Sequence, residues 1–184
     1  MDQTTIHVPQ ELFAPAESSL YSGILELESL AAGPDTYTFD KPPAWNVTVS
    51  NTGDALLVAG TVTGTAKTAC ARCLEEVVVD FNGEVEGYFL IDAEEDVEHE
   101  EGEEEEFELL GPDNTIDLVP LLEGAILVDL PLQPLCREDC KGICPDCGIN
   151  LNEETCRCAE KREAENAAFE AAKNPFSKLA DLDL

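Results

Sequence analysis

Basic residues are scarce in this chain. Ten lysines and arginines face forty aspartates and glutamates in 184 residues, a formal net charge of −30. Affinity for nucleic acid comes largely from lysine and arginine displacing counterions, so little direct binding to naked RNA or DNA is expected. Histidine is scarcer still: only His7 and His99 occur, and general acid–base chemistry at neutral pH lacks its commonest residue. There is no Gly-rich phosphate loop, no His-Glu-x-x-His pair and no Gly-x-Ser-x-Gly elbow. No enzyme is expected. A run of about twenty apolar residues is absent too, which argues against a membrane span. Met1-Asp2-Gln3-Thr4 opens no basic and apolar leader, so the expected setting is the reducing cytoplasm.

Cysteine, by contrast, is abundant and clustered. Residues 135–158, LCREDCKGICPDCGINLNEETCRC, hold six of the eight cysteines, and Cys70 and Cys73 stand upstream in Ala69-Cys70-Ala71-Arg72-Cys73. Zinc uses such spacing, because two thiolates about three residues apart grip one tetrahedral ion from a tight turn. In Cys144-Pro145-Asp146-Cys147-Gly148 the proline fixes φ early, and the glycine permits a positive φ just past the second ligand. That is the knuckle of a zinc ribbon. Eight thiolates divide into two structural sites of four, the number a closed zinc site prefers. The expected division is Cys144, Cys147, Cys156 and Cys158 around one ion, since these close only a short loop, and Cys70, Cys73, Cys136 and Cys140 around a second. One zinc with spare thiols is the alternative: Cys156-x-Cys158 is a tight chelate, and Cys136-x3-Cys140 on one turn of helix can serve either ion. Disulfides belong mainly to secreted chains, and a redox dithiol needs a strand-to-helix setting that neither Cys-x2-Cys pair has. Each four-thiolate zinc site carries a net −2, so two would move the chain from −30 to −34. Such a surface suits a basic protein partner, because opposite fields speed encounter and suppress wrong partners; acidity that serves only solubility, or reflects a saline cytoplasm, is the equal alternative.

The length fits a single domain over 1–184: a sheet and helix core at 16–135 with an acidic insertion at 92–108, the cysteine cluster at 136–158, and a helix and tail at 159–184. Residues 1–15 read as a loosely tied terminus. Residues 19–30 permit a short strand or a helical turn, with strand the favoured reading, and a short strand is expected at 36–39. A hairpin follows, in which Trp45-Asn46-Val47-Thr48-Val49 alternates and Asn51-Thr52-Gly53-Asp54 turns the chain into a strand that runs on to deliver Cys70 and Cys73. Trp45 is expected in the core. Residues 77–91 read as one long bent strand, so the first cysteine pair lies in the turn between two strands. Eleven of the fifteen residues 94–108 are acidic, and their repulsion predicts disorder or at best an extended loop. Leu118, Leu121, Leu122, Ala125 and Ile126 recur at helical spacing, with Asp117 as N-cap and Pro131 as stop. Residues 159–173 form an exposed helix ended by Asn174-Pro175. The expected architecture is α+β: an antiparallel β-sheet or partly open barrel, a packed helix, a zinc-ribbon-like cysteine cluster and a C-terminal helix.

Three stretches together resemble the YceD family, the large ribosomal RNA subunit accumulation proteins of bacteria and plastids. They are Cys70-Ala71-Arg72-Cys73-Leu74-Glu75-Glu76, then Leu130-Pro131-Leu132 through Leu135-Cys136 to Asn152, and Asn174-Pro175-Phe176. The resemblance implies a role in accumulation of large-subunit ribosomal RNA during ribosome assembly. With the charge, it implies a noncatalytic factor that binds a basic large-subunit ribosomal protein or a pre-ribosomal particle. A zinc-stabilised interaction adaptor unrelated to ribosomes and a thiol redox protein are the competing readings.

Overall fold

Alternation of apolar and polar residues forms the longer strands of the chain. The computed structural model describes residues 4–91, 108–110 and 113–173. In chain order the strands are β1 (Thr5–His7), β2 (Ser18–Ile24), β3 (Ser29–Ala32), β4 (Asp35–Thr38), β5 (Ala44–Asn51), β6 (Ala55–Ala69), β7 (Glu76–Leu90), β8 (Glu108–Leu109) and β9 (Thr115–Asp117). Two helices follow, α1 (Val119–Asp129) and α2 (Cys158–Lys173). The α+β class read from the sequence is what the chain adopts. Chain contacts divide it into two compact units, one of Met1–Thr68 with Glu76–Pro134, the other of Ala69–Glu75 with Leu135–Leu184.

The first unit is organised around β6. In the seven-stranded sheet the order is β2-β5-β6-β4-β3, and β7 pairs both β6 and β8. The hairpin of β5 and β6 is antiparallel from Ala44↔Thr63 to Asn51↔Leu56, as the turn signal at residues 51–54 predicts. Asn51 Oδ1 accepts the Gly53 N–H at 2.7 Å, and Gly53 has φ 118°. Trp45, Val47 and Val49 point inward from β5 and Leu56, Val58, Val62 and Ala66 from β6, all buried. Trp45 is therefore core, although its buried Nε1 has no hydrogen-bond partner among the described residues. Tyr37 is fully buried and donates its hydroxyl to the Pro131 carbonyl at 2.9 Å, and its pKa is raised by burial first and the charge of Asp35 second.

Helix α1 packs against β7 and buries Leu122, Ala125 and Ile126. A Cβ on Gly83 would fall on the Ala125 carbonyl, so the glycine sets how closely helix and strand approach. The N-cap is Leu118 rather than Asp117. Asp117 still serves the helix start, since its Oδ1 accepts the Val119 N–H at 3.0 Å from one position earlier. Pro131 follows the C-cap Leu130, as expected.

The N-terminal stretch departs from expectation. Residues 1–15 read as loosely tied, yet β1 pairs β9 antiparallel through Thr5↔Asp117, Ile6↔Ile116 and His7↔Thr115. Ile6, Val8 and Leu12 are buried, so apolar side chains anchor the segment and His7 lies in an ordered strand. Of the acidic run 94–108, residues 94–107 with His99 lie outside the described residues, as does the tail from Asn174, whereas Glu108 stands in strand β8 rather than in a disordered segment.

Candidate metal centre

Among its described residues the second unit buries no cluster of apolar side chains apart from cysteines. Its buried residues, among those described, are Cys70, Cys73, Cys140, Gly142 and Cys144. Ala69–Glu75 enters this unit as the turn between β6 and β7, and the rest comes from the segment beginning at Leu135. Helix α2 starts at the half-buried Cys158 and is exposed from Ala159 to Phe169.

Two turns of the same design present the Cys-x2-Cys pairs. In the first, Cys70 N–H donates to the Glu75 carbonyl at 2.7 Å and Leu74 N–H to the Cys70 carbonyl at 2.9 Å. In the second, Cys144 N–H donates to the Ile149 carbonyl and Gly148 N–H to the Cys144 carbonyl, both at 2.8 Å. Both turns pass through positive φ at the residue after the second cysteine, 64° at Leu74 and 74° at Gly148. The sequence announces the second turn by its glycine. Leucine at the equivalent place in the first is unusual, since a left-handed backbone costs an L-residue about 1–2 kcal/mol.

The eight cysteines form two sets of four: Cys70, Cys73, Cys136 and Cys140, and Cys144, Cys147, Cys156 and Cys158. Within each set the sulfurs all lie within 4.8 Å of one another, and all eight are free thiols. The ambiguous Cys136 and Cys140 fall with the first pair. Thiolates at the zinc–sulfur bond length of about 2.3 Å, arranged tetrahedrally, sit about 3.8 Å apart. Cys70 and Cys140 sulfurs are 3.8 Å apart and those of Cys73 and Cys136 3.5 Å, so the first set has the dimensions of a four-thiolate site. Both sets could hold a metal ion.

The electrostatics fit cation binding. Burial acts on Cys70 first and raises its pKa, but the amides of Cys73, Arg72 and Cys136 outweigh it and pull the thiol down to about 6. Cys144 is brought down to about 7, chiefly by the Cys147 amide and then that of Asp146. Cys136 is pushed up to about 12 by desolvation of its sulfur and by hydrogen bonds to Cys73 and Cys140. Cys158 is pushed up to about 12 by hydrogen bonds to Cys147 and Cys156. Each quartet therefore mixes thiolates with thiols that share protons, and a divalent cation can replace those protons.

Polar residues outside the cysteines complete the surroundings. Arg72 Nη1 donates to the Cys140 carbonyl at 2.9 Å and Arg162 pairs with Asp146 at 3.5 Å. Asn152 Nδ2 donates to the Cys140 sulfur at 3.3 Å, and Asn150 Nδ2 donates to Glu75 Oε1 at 3.1 Å. Sequence reasoning passed over both asparagines, because they lie between the cysteine pairs and match no ligand spacing. Among the described residues no helix is long and apolar enough to cross a membrane.

The model of one protein family, described as large ribosomal RNA subunit accumulation protein YceD, matches residues 58–183. That range takes in every cysteine of both sets. The chain is 36% identical over 107 residues to uncharacterized proteins of Mycobacterium bovis and Mycobacterium tuberculosis, covering 58% of this chain and 50% of each relative. It is 33% identical over 111 residues to an uncharacterized protein of Mycobacterium leprae, covering 56% of this chain and 46% of the relative. The chain spans about half the length of the curated relatives it matches. No solved structure matches it.

Proposed function

Since the chain belongs to the YceD family of large ribosomal RNA subunit accumulation proteins, we propose that it supports accumulation of large-subunit ribosomal RNA as a noncatalytic cytoplasmic binding factor. Its partner is a basic large-subunit ribosomal protein or an assembling particle that carries one. The observation behind the partner class is how charge divides between the two units. The sheet unit holds 28 of the 40 acidic residues and only Lys41 and Lys67 of the ten basic ones, a net −26; the cysteine unit holds twelve against eight, a net −4. Even Lys67 is engaged, with its ammonium 2.7 Å from Asp40 and 3.8 Å from Glu76. A field this one-sided draws in lysine- and arginine-rich protein and repels a bare phosphate backbone.

Zinc is the resident ion in this reading, one per cysteine quartet, and its role is structural. Four thiolates leave no vacant position for water, and a unit that buries only thiols and a glycine among its described residues gains most from a staple. When bound, the ion would crosslink the four thiolates of its quartet, while the chain's own amides and the Asn152 side chain stabilise those thiolates.

Native capture of the tagged chain at low salt, with and without RNase, tests the function. Immature large-subunit particles recovered only without RNase place the contact on the particle. A basic ribosomal protein that survives RNase makes the chain its escort. Recovery of neither, or of unrelated proteins alone, overturns the proposal in favour of an adaptor outside the ribosome. Two equivalents of zinc with no thiols open to alkylation would count against a redox role.

A further inference from the structure

Asn152 belongs to the loop 148–155, which closes the second quartet by joining Cys147 to Cys156, yet its side chain acts on the first. Its Nδ2 lies 3.3 Å from the Cys140 sulfur. The orientation of this amide is fixed by chemistry: Lys141 N–H, which can only donate, points at Asn152 Oδ1 at 2.8 Å, so the other terminus must be the NH2 group. The loop is held in place by Leu151 N–H to the Gly142 carbonyl at 2.9 Å and by the antiparallel bridge of Ile143 with Asn150. Asn150 Oδ1 accepts from Asn152 Nδ2 at 2.8 Å and from the Asn152 N–H at 3.0 Å. The chain from Cys144 to Asn152 therefore carries Cys144 and Cys147 into one site and a sulfur donor into the other.

We propose that Asn152 is a positioning residue that couples the two metal sites, so that an ion in the second quartet strengthens binding in the first. A four-thiolate site around a divalent ion carries a net −2, and an N–H donated to one sulfur offsets part of that charge. Before the second quartet closes, the loop pays conformational entropy to present the amide. Once Cys147 and Cys156 share an ion the loop ends are fixed, and the donor is already in place for Cys140. By reciprocity, an ion in the first quartet tightens the second by the same factor.

This inference rests on the reading that both quartets bind metal, and the experiment separates the two. The full chain is titrated with cobalt(II) against a chelator, following the sulfur-to-cobalt charge-transfer band. The wild type is expected to take two ions; fewer overturns the metal reading and the coupling with it. Given two, disabling the second quartet with Cys156→Ser and Cys158→Ser lowers affinity of the first about 10–100-fold. Asn152→Ala lowers it comparably in the intact chain, and combining the changes adds little. Asn152→Asp keeps the acceptor for Lys141 N–H but loses the donor, and all eight thiols remain if the cysteine variant does not fold. It is expected to weaken the first site and move its charge-transfer band to lower energy, a shift that a purely structural role would not produce. Wild-type affinities and spectra in both Asn152 variants overturn the coupling while leaving the metal reading intact. So does a cysteine variant that weakens the first site equally with and without Asn152.

Discussion

Leu74 and Gly148 hold the same place in two turns with the same pair of backbone hydrogen bonds, and only one of them is suited to it. The leucine side chain is 65% exposed, so packing returns little for its left-handed backbone. At Gly148 an added Cβ would meet nothing within 4 Å, so any penalty there is conformational rather than steric. Gly148→Ala is expected to destabilise the metal-loaded unit by about 1 kcal/mol. Leu74→Gly should change stability little, because relief of about 1 kcal/mol is offset by the extra freedom glycine gives the unfolded chain, about 0.5–1 kcal/mol. Chelator competition on the two loaded variants checks this, and equal losses would contradict it. These residues also show why the two turns differed in legibility. Cys144-Pro145-Asp146-Cys147-Gly148 declares its geometry, whereas nothing about leucine signals positive φ.

At the scale of elements, α1 presents two glycine problems with opposite answers. Gly83 on β7 faces the Ala125 carbonyl without room for a methyl group, so Gly83→Ala must push the helix away and should cost about 1–3 kcal/mol. Gly124, within the helix, has open space where a Cβ would go, and Gly124→Ala should stabilise by up to about 1 kcal/mol through helix propensity. Urea unfolding of the two variants checks the signs; a destabilising Gly124→Ala would mean the helix position is not as open as it stands here. Elements with a period of their own were legible from sequence: β5 and β6 by alternation around a turn, α1 by its apolar spacing, the knuckles by their cysteines. The β1–β9 pair was not. Its strands are three residues each, and they meet across more than a hundred residues of chain. No local pattern encodes such a pairing, which is held by the burial of Ile6 and Ile116. Asn152 was hidden for a similar reason: its meaning lies in a sulfur twelve residues away that belongs to the other cysteine quartet.

Across the whole molecule, two units reach stability by different physics. The sheet unit buries a contiguous set of aromatic and aliphatic side chains, from Ile6 to Leu130. The cysteine unit buries thiols and one glycine among its described residues, so on the proposed metal reading its stability would rest on what the thiols bind. Metal removal is therefore expected to split the molecule's behaviour. With a strong chelator, amides such as Leu74, Gly148 and Leu151 should lose protection from hydrogen exchange, while those of β5 and β6 keep theirs. Uniform loss would show that the sheet depends on the metal as well. Loading should also expel protons. Cys136 and Cys158, each pushed up to about 12, are protonated at neutral pH before the ion arrives and must ionise to ligate it. Binding then weakens as pH falls, because protons compete for sulfurs that the ion needs as thiolates. An indicator dye in weakly buffered solution should report at least one proton released per ion taken up, and uptake without acidification would mean that these two sulfurs are not ligands.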